Sequence, residues 1–174
     1  MAKGCVHIYT GEGKGKTTAA IGLAIRAKSR GLNILFAQFM KGRTSSGEIR
    51  VLKNISVTTK NFPKIRSPYF YPDIDKKQLK KDVSKALSYI KKIMKENRFD
   101  MIILDEFNCL LLEGLLTDNE AIDLISYKPE ELELVLTGRG ATKRLIKTAD
   151  YVTEMKMIKH PFSRGIRARK SIEY

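Results

Sequence analysis

Apolar residues fall along this 174-residue chain in two rhythms, short unbroken runs and longer stretches at helical spacing. Unbroken runs mark strands buried on both faces, and recurrence at three and four residues marks a helix with one face on a core. Residues 5–9 predict a first strand. After a glycine-rich turn, Ala19, Ala20, Leu23, Ala24 and Ala27 predict a helix to about Ser29, stopped by Gly31, and residues 33–38 predict a second buried strand. A parallel pair of strands joined through a helix is right-handed almost without exception. This opening unit therefore seeds a sheet with helices on both faces.

Residues 40–46 form a polar loop at the carboxyl end of the second strand, the edge where open α/β sheets bind ligands. A short helix from Glu48 and a strand over 55–59 follow. Residues 61–72 hold three of the five prolines and four of the fourteen aromatic residues, which predicts a packed loop or a mobile lid rather than regular structure. Asp73 or Asp75 caps the next helix, whose positions Leu79, Val83, Ala86, Leu87, Ile90, Ile93 and Met94 recur at helical spacing up to about Asn97. The run from Phe99 to Leu104 predicts a central buried strand that ends in Asp105 and Glu106. Helices over 110–116 and 119–126 follow, the second capped by Asp118 or Asn119. Next come a strand over 133–136, the turn Thr137-Gly138-Arg139-Gly140 and a helix over 141–149. Strands over 151–155 and 167–174 close the chain. No repeat or linker divides it, so the expectation is one domain over residues 1–174, an α/β fold of the P-loop nucleotide-binding type in three layers, with a mostly parallel central sheet.

The chemistry concentrates in Tyr9-Thr10-Gly11-Glu12-Gly13-Lys14-Gly15-Lys16-Thr17-Thr18, between the first strand and its helix. Glycines there let successive backbone N–H groups turn inward around an anion, and Lys16 adds a point charge. Thr17 opens the helix, where its hydroxyl can ligate Mg2+ while the helix dipole favours phosphate. Thr10 stands where the general phosphate-loop pattern has its first glycine. Asp105-Glu106 at the end of a buried strand supplies the second half of such a site, an acid that holds Mg2+ opposite the loop threonine. Arg139, in a flexible turn at another strand end, can reach a phosphate or an acid.

Composition changes this picture little. Lys+Arg 33 against Asp+Glu 19 gives a net charge of +14, which favours anionic partners. Lys76, Lys77, Lys80, Lys81, Lys85, Lys91, Lys92 and Lys95 line one helix without interleaved aromatics, which weighs for a solvated face and against nucleic acid. Cys5 and Cys109 are too few for a disulfide scaffold and sit in apolar runs, as buried thiols do. No apolar run approaches the ~18 residues of a membrane span and no leader precedes the first strand, so the expectation is a cytoplasmic protein without membrane attachment.

Taken together, the sequence resembles the P-loop type of ATP:corrinoid adenosyltransferase, the cob(I)alamin adenosyltransferase family, nearly from end to end. The resemblance rests on the loop from Tyr9 to Ala20, where the family too lacks the first glycine, on Gln38-Phe39-Met40-Lys41-Gly42 and on Leu104-Asp105-Glu106. It rests further on Leu136-Thr137-Gly138-Arg139-Gly140, on Val152-Thr153-Glu154-Met155 and on Lys159-His160-Pro161-Phe162 with Gly165-Ile166. It implies an enzyme, usually a homodimer, that moves the 5'-deoxyadenosyl group of ATP onto the Co(I) centre of a corrinoid, cob(I)alamin or a cobinamide-type relative, and releases triphosphate. A reductase that supplies Co(I) is an implied partner. Because Co(I) is itself a strong nucleophile, no catalytic base is required, and none of the usual Cys/His or Ser/His pairings is evident.

Carried onto this chain, the resemblance implies that Gly13, Lys14, Gly15, Lys16, Thr17 and Thr18 wrap the triphosphate, with Thr10 and Gly11 also on the nucleotide side. Thr17 and Glu106 hold Mg2+, and Lys16, Thr17 and Glu106 are the residues closest to the chemistry. Arg26 matches an arginine that contacts phosphate, and Glu12 stands near the ribose where relatives carry Asn or Asp. Lys41, Arg139 and His160 are further nucleotide-side candidates. The chain departs from many members in having Asn61-Phe62-Pro63-Lys64 in place of a Gly-Phe-Thr-Trp segment, so Phe62 or Phe70 would serve the corrinoid side. Some members also carry an N-terminal extension that closes over the site, whereas four residues precede the first strand here. Two rival readings start from the loop, the acids and the charge alone: an ATPase acting on nucleic acid, and a small-molecule kinase.

Overall fold

The protein is described by a computed structural model over residues 3–41, 47–169 and 171–172. Alternation along each strand decides the layers, because successive side chains of a strand point to opposite faces. In β2 (Ile34–Gln38), Ile34 and Phe36 join one buried cluster while Leu35 and Ala37 join another. In β4 (Met101–Asp105), Met101 and Ile103 divide from Ile102 and Leu104 in the same way. The first cluster is completed by α1 (Lys16–Lys28) and α2 (Gly47–Asn54), the second by α3 (Lys76–Lys95), α4 (Phe107–Leu112), α5 (Asp118–Ser126) and α6 (Lys143–Ile146). Helices on both faces make the three layers expected.

With β1 (Val6–Thr10), β3 (Thr58–Asn61), β5 (Glu133–Thr137) and β6 (Tyr151–Glu154), the described residues form one six-stranded sheet in the order β3-β2-β4-β5-β1-β6. Every strand pair is parallel. β5 thus lies between the strand that feeds the glycine loop and the strand that ends in the acids, and all three carboxyl ends open on one edge. Small residues bring α1 close to the sheet: Ala20, Ala24 and Ala27 are its buried positions alongside Lys16. On α3 the seven expected apolar positions are the buried ones, and Asp75 is the cap, accepting from the backbone N–H groups of Lys77 and Gln78. Part of the lysine face has a structural role, since Lys91 pairs with Asp123 and lies over the Tyr127 ring. Among the described residues no helix is long and apolar enough to cross a membrane.

Five local expectations need correction. The strand expected over 55–59 begins three residues later, because α2 closes with Ser56 at φ 59° and a Val57 N–H to Leu52 O bond of 2.9 Å, which turns Ile55 and Val57 into the core. The cap of α5 is Thr117 rather than Asp118 or Asn119, in a reciprocal pair with Glu120. α4 starts at Phe107 and ends at Leu112, and α6 covers only Lys143–Ile146. The described residues of 167–174 form no strand; Arg167, Arg169 and Ile172 are exposed, and Lys14 Nζ donates to Ile172 O at 3.3 Å. Without an apolar run to bury, that segment has nothing to gain from the sheet. Of the polar loop over 40–46, residues 42–46 lie outside the described residues.

Ile90 is fully enclosed among α3, β2 and β4 side chains. Ile90→Ala is expected to lower unfolding free energy by about 2–5 kcal/mol in a urea titration. Lys80→Glu combined with Lys81→Glu, on the exposed face, is expected to leave both the unfolding midpoint and turnover unchanged; a large loss of turnover would give the basic face a functional role.

Candidate active site

The period of two carries polar side chains onto the α1 side of the sheet at three adjacent strand ends. Gln38 follows Ile34 and Phe36, Asp105 follows Met101 and Ile103, and Thr137 follows Val135. All three are buried. Asp105 is the centre: Oδ1 accepts from Thr17 Oγ1 at 2.8 Å and from Thr137 Oγ1 at 2.7 Å, and Oδ2 accepts from Gln38 Nε2 at 3.0 Å. Burial raises the Asp105 carboxyl above the usual carboxylate range, the neighbouring Glu106 adds to the rise, and the three hydrogen bonds oppose it. Thr17 spends its proton on Asp105, which leaves its oxygen lone pairs for another partner.

The phosphate loop is shaped around Lys16. Its Nζ donates to Gly11 O and Gly13 O, both at 2.7 Å, closing the loop on itself, and desolvation lowers the ammonium below the ordinary lysine range. Gly15 caps α1 at φ 118°, a conformation that favours glycine, and the Gly13 N–H donates to Met155 O at 2.6 Å, tying the loop to the exit of β6. Around Lys16 and Thr17 opens a cavity of about 690 Å3, the size of a small-molecule site. Its lining brings Glu12, Gly13, Lys14, Gly15, Lys16, Thr17 and Thr18 together with Lys41, Glu106, Arg139 and His160. Thr10 and Gly11 sit just behind the lining, the Thr10 hydroxyl accepting from the Ala141 N–H at 3.4 Å. Arg139 pairs with Glu12 at 3.0 Å across the mouth.

Three candidates stand away from this cavity. Arg26 is exposed in the last turn of α1, about 15 Å along the helix from Lys16 at 1.5 Å per residue. Phe62 is packed into the core, stacked on Phe39 at 4.7 Å between ring centroids and edge-on to Tyr89. Phe70 is 74% exposed beside Tyr69 and lines a separate cavity of about 310 Å3 with Arg66, Tyr71 and Ile74. One backbone contact links the linings of the two cavities: Lys41, which lines the first, forms an isolated antiparallel bridge with Arg66, which lines the second.

Glu106 has φ 61°, the left-handed region, where a residue with a side chain is strained. Its N–H donates to Thr137 Oγ1 at 3.0 Å, and its side chain, instead of capping α4, accepts from Cys109 Sγ at 2.9 Å. Burial and the Glu106 charge push the Cys109 thiol far up, so it stays protonated and is no nucleophile. Among the described residues no group of three or more His, Cys, Asp or Glu side chains could hold a metal by itself. Hard oxygen donors from Thr17 and one or two carboxylates suit Mg2+, which is completed by phosphates and water rather than by an all-protein cage. Gln38 and Thr137 were not singled out from sequence, although strand alternation places both on the α1 side.

Comparison with known proteins points to one family. The family described as ATP:corrinoid adenosyltransferase BtuR/CobO/CobP matches residues 2–174. The chain is similar to a corrinoid adenosyltransferase of a Sinorhizobium species, 33% identical over 99% of this chain and 81% of the relative. It is also similar to those of Pseudomonas aeruginosa, 31% identical over 99% of this chain and 84% of the relative, and Escherichia coli K12, 28% identical over 99% and 86%.

Because the native Asp105 carboxyl holds its proton more tightly than the unfolded one, it contributes less to stability as pH rises from the ordinary carboxylate range through its raised native value. Asp105→Asn is therefore expected to flatten that fall. At neutral pH it should raise the melting temperature of the nucleotide-free protein by roughly 2–4 °C per kcal/mol of charge burial relieved, while weakening nucleotide binding. Melting curves across pH that superimpose for the two proteins would refute the role given to this carboxylate.

Proposed function

The chain belongs to the ATP:corrinoid adenosyltransferase BtuR/CobO/CobP family, and from that premise we propose how its residues carry out adenosyl transfer from ATP to corrinoid cobalt. Family membership removes the grounds for the nucleic-acid ATPase and kinase readings, which rested on the loop and the charge alone. The triphosphate lies in the cradle of residues 13–18, held by loop N–H groups, the α1 dipole and the Lys14 and Lys16 ammonium groups. On binding, Lys16 exchanges the Gly11 and Gly13 carbonyls for phosphate oxygens, and Arg139 exchanges Glu12 in the same way. Lys41 and His160 complete the nucleotide side. Thr17 and Glu106 hold Mg2+, which supplies charge neutralisation of the triphosphate when bound. Asp105 orients Thr17.

The observation that supports this reading is the Lys41–Arg66 bridge, which ties the lining of the phosphate cavity to that of the cavity under the exposed aromatic loop. The ribose C5' points toward that loop and the corrinoid approaches from the aromatic side. Cobalt in the Co(I) state attacks C5' with its electron pair, the C5'–O5' bond breaks, and the pair leaves on triphosphate. No protein base is needed; the protein orients the reactants and stabilises the leaving charge. Phe70, free on the surface, is better placed for the corrinoid than Phe62, which is committed to the core. Arg26 is too far along α1 to share the same cradle. The protein acts as a single cytoplasmic domain over residues 1–174, as a homodimer, with a separate reductase supplying Co(I).

Anaerobic incubation with ATP, Mg2+ and chemically reduced cobalamin is expected to give a light-sensitive Co–C product and stoichiometric triphosphate. Lys16→Ala should lower kcat/KM by ~100-fold or more, as loss of a preorganised charge at a leaving group does, and Phe70→Ala should raise the corrinoid KM with little change for ATP. Inorganic phosphate released in place of triphosphate would refute attack at C5'. Near-normal turnover in Lys16→Ala would refute the cradle.

A further inference from the structure

Glu106 is an acid at the cap position of a helix that does not cap it. An acid at that position ordinarily accepts a backbone N–H from the first turn, but the left-handed backbone of Glu106 turns its side chain away, and no such bond forms. The side chain lines the nucleotide cavity instead, where nothing from the helix backbone fixes its rotamer. What fixes it is the residue three positions on. Cys109, in the first turn of α4, donates its thiol proton to Glu106 Oε2 at 2.9 Å, and its sulfur lies against the turn at Gly138. The fit is close: a β-carbon on Gly138 would lie 3.1 Å from the Cys109 sulfur and backbone nitrogen. One thiol thus joins two parts of the cavity wall, the turn after β5 and the carboxylate after β4.

We propose that Cys109 is a positioning residue for Mg2+-nucleotide binding, holding the Glu106 carboxylate toward the cavity through its thiol donor. This rests on the reading of Glu106 as a Mg2+-side residue. The thiol need not touch ATP, metal or cobalt. Its part is to orient one oxygen of Glu106 and leave the other for the cavity, as an outer hydrogen bond orients a ligating carboxylate. A donor is what the position requires, so serine should substitute where alanine cannot.

The test uses the full-length protein without corrinoid, so that ATP binds and is not consumed. The readout is the Mg2+ concentration that half-saturates ATP binding, measured by calorimetry at fixed ATP for wild type, Cys109→Ala, Cys109→Ser and Glu106→Gln, with melting temperatures of each ligand-free protein. Cys109→Ala is expected to raise that concentration about tenfold, the lower end for loss of an outer partner, and Cys109→Ser to restore it to within about threefold of wild type. ATP affinity without Mg2+ should be the same in all three cysteine forms. An alanine variant as good as serine, or losses in both that follow the melting temperatures, would overturn the positioning role. If Glu106→Gln leaves the Mg2+ requirement alone, the assignment of Glu106 falls and this proposal with it. If Glu106→Gln shifts the requirement and Cys109→Ala does not, the proposal alone falls.

Discussion

The buried carboxylate of Asp105 is the constraint around which the rest of the site is arranged. A charge with no exposure survives only where donors replace the water it has lost. Here the donors come from three different elements: Thr17 from the first turn of α1, Gln38 from β2 and Thr137 from β5. Each bond therefore also fixes a piece of backbone. The hydroxyl of Thr137 serves twice, donating to Asp105 and accepting the Glu106 N–H, so the strained turn that aims Glu106 is held by the same network that holds Thr17. Removing one donor would leave the carboxylate short and release one wall of the nucleotide cavity.

Strand order explains why the network needs Thr137 at all. With β5 inserted between β1 and β4, the glycine loop and the acids do not leave from neighbouring strands. The end of β5 fills the gap. Asp105 still reaches Thr17 at 2.8 Å because α1 leans across the sheet on alanines, a crossing that larger side chains at Ala20 or Ala24 would block. Helix composition and the geometry around Asp105 are coupled in this way, through packing distance rather than through any direct contact.

The phosphate half of the site was legible in the sequence because its elements are local. A glycine loop between an apolar run and an alanine-rich helix has one mechanical reading, and the acids at the end of Phe99-Asp100-Met101-Ile102-Ile103-Leu104 place themselves at the ligand edge. Glu106 drew attention and Asp105 less, although alternation from Ile103 already points Asp105 to the α1 side. The contacts Thr137 and Gln38 make with it depend on strand order, which no local pattern encodes. Arg26 differs: the resemblance implied a phosphate contact, yet ten residues at 1.5 Å each, a spacing the helical pattern already held, put it at the far end of α1. The strand expected over 167–174 does not form among the described residues, because Arg167, Arg169 and Ile172 are exposed and bring no apolar run for the sheet to bury.

The two halves of the reaction place different demands on the scaffold, and the fold meets them with different materials. Departure of triphosphate requires charges fixed before the bond breaks, since donors that must reorganise lose their advantage. Those charges sit on strand ends and the first turn of a helix. A corrinoid is a large macrocycle, apolar on its ring faces and polar at its rim, that must enter and leave, and a rigid wall would obstruct it. The loop between β3 and α3 is suited to such traffic, because its three consecutive aromatics, Tyr69, Phe70 and Tyr71, stand 79%, 74% and 48% exposed, costly in water unless a broad apolar face covers them. Phe62 anchors the start of that loop in the core, and the Lys41–Arg66 bridge ties its middle to the segment that follows β2. The loop is thus fixed at its start and middle while its aromatic tip stays exposed.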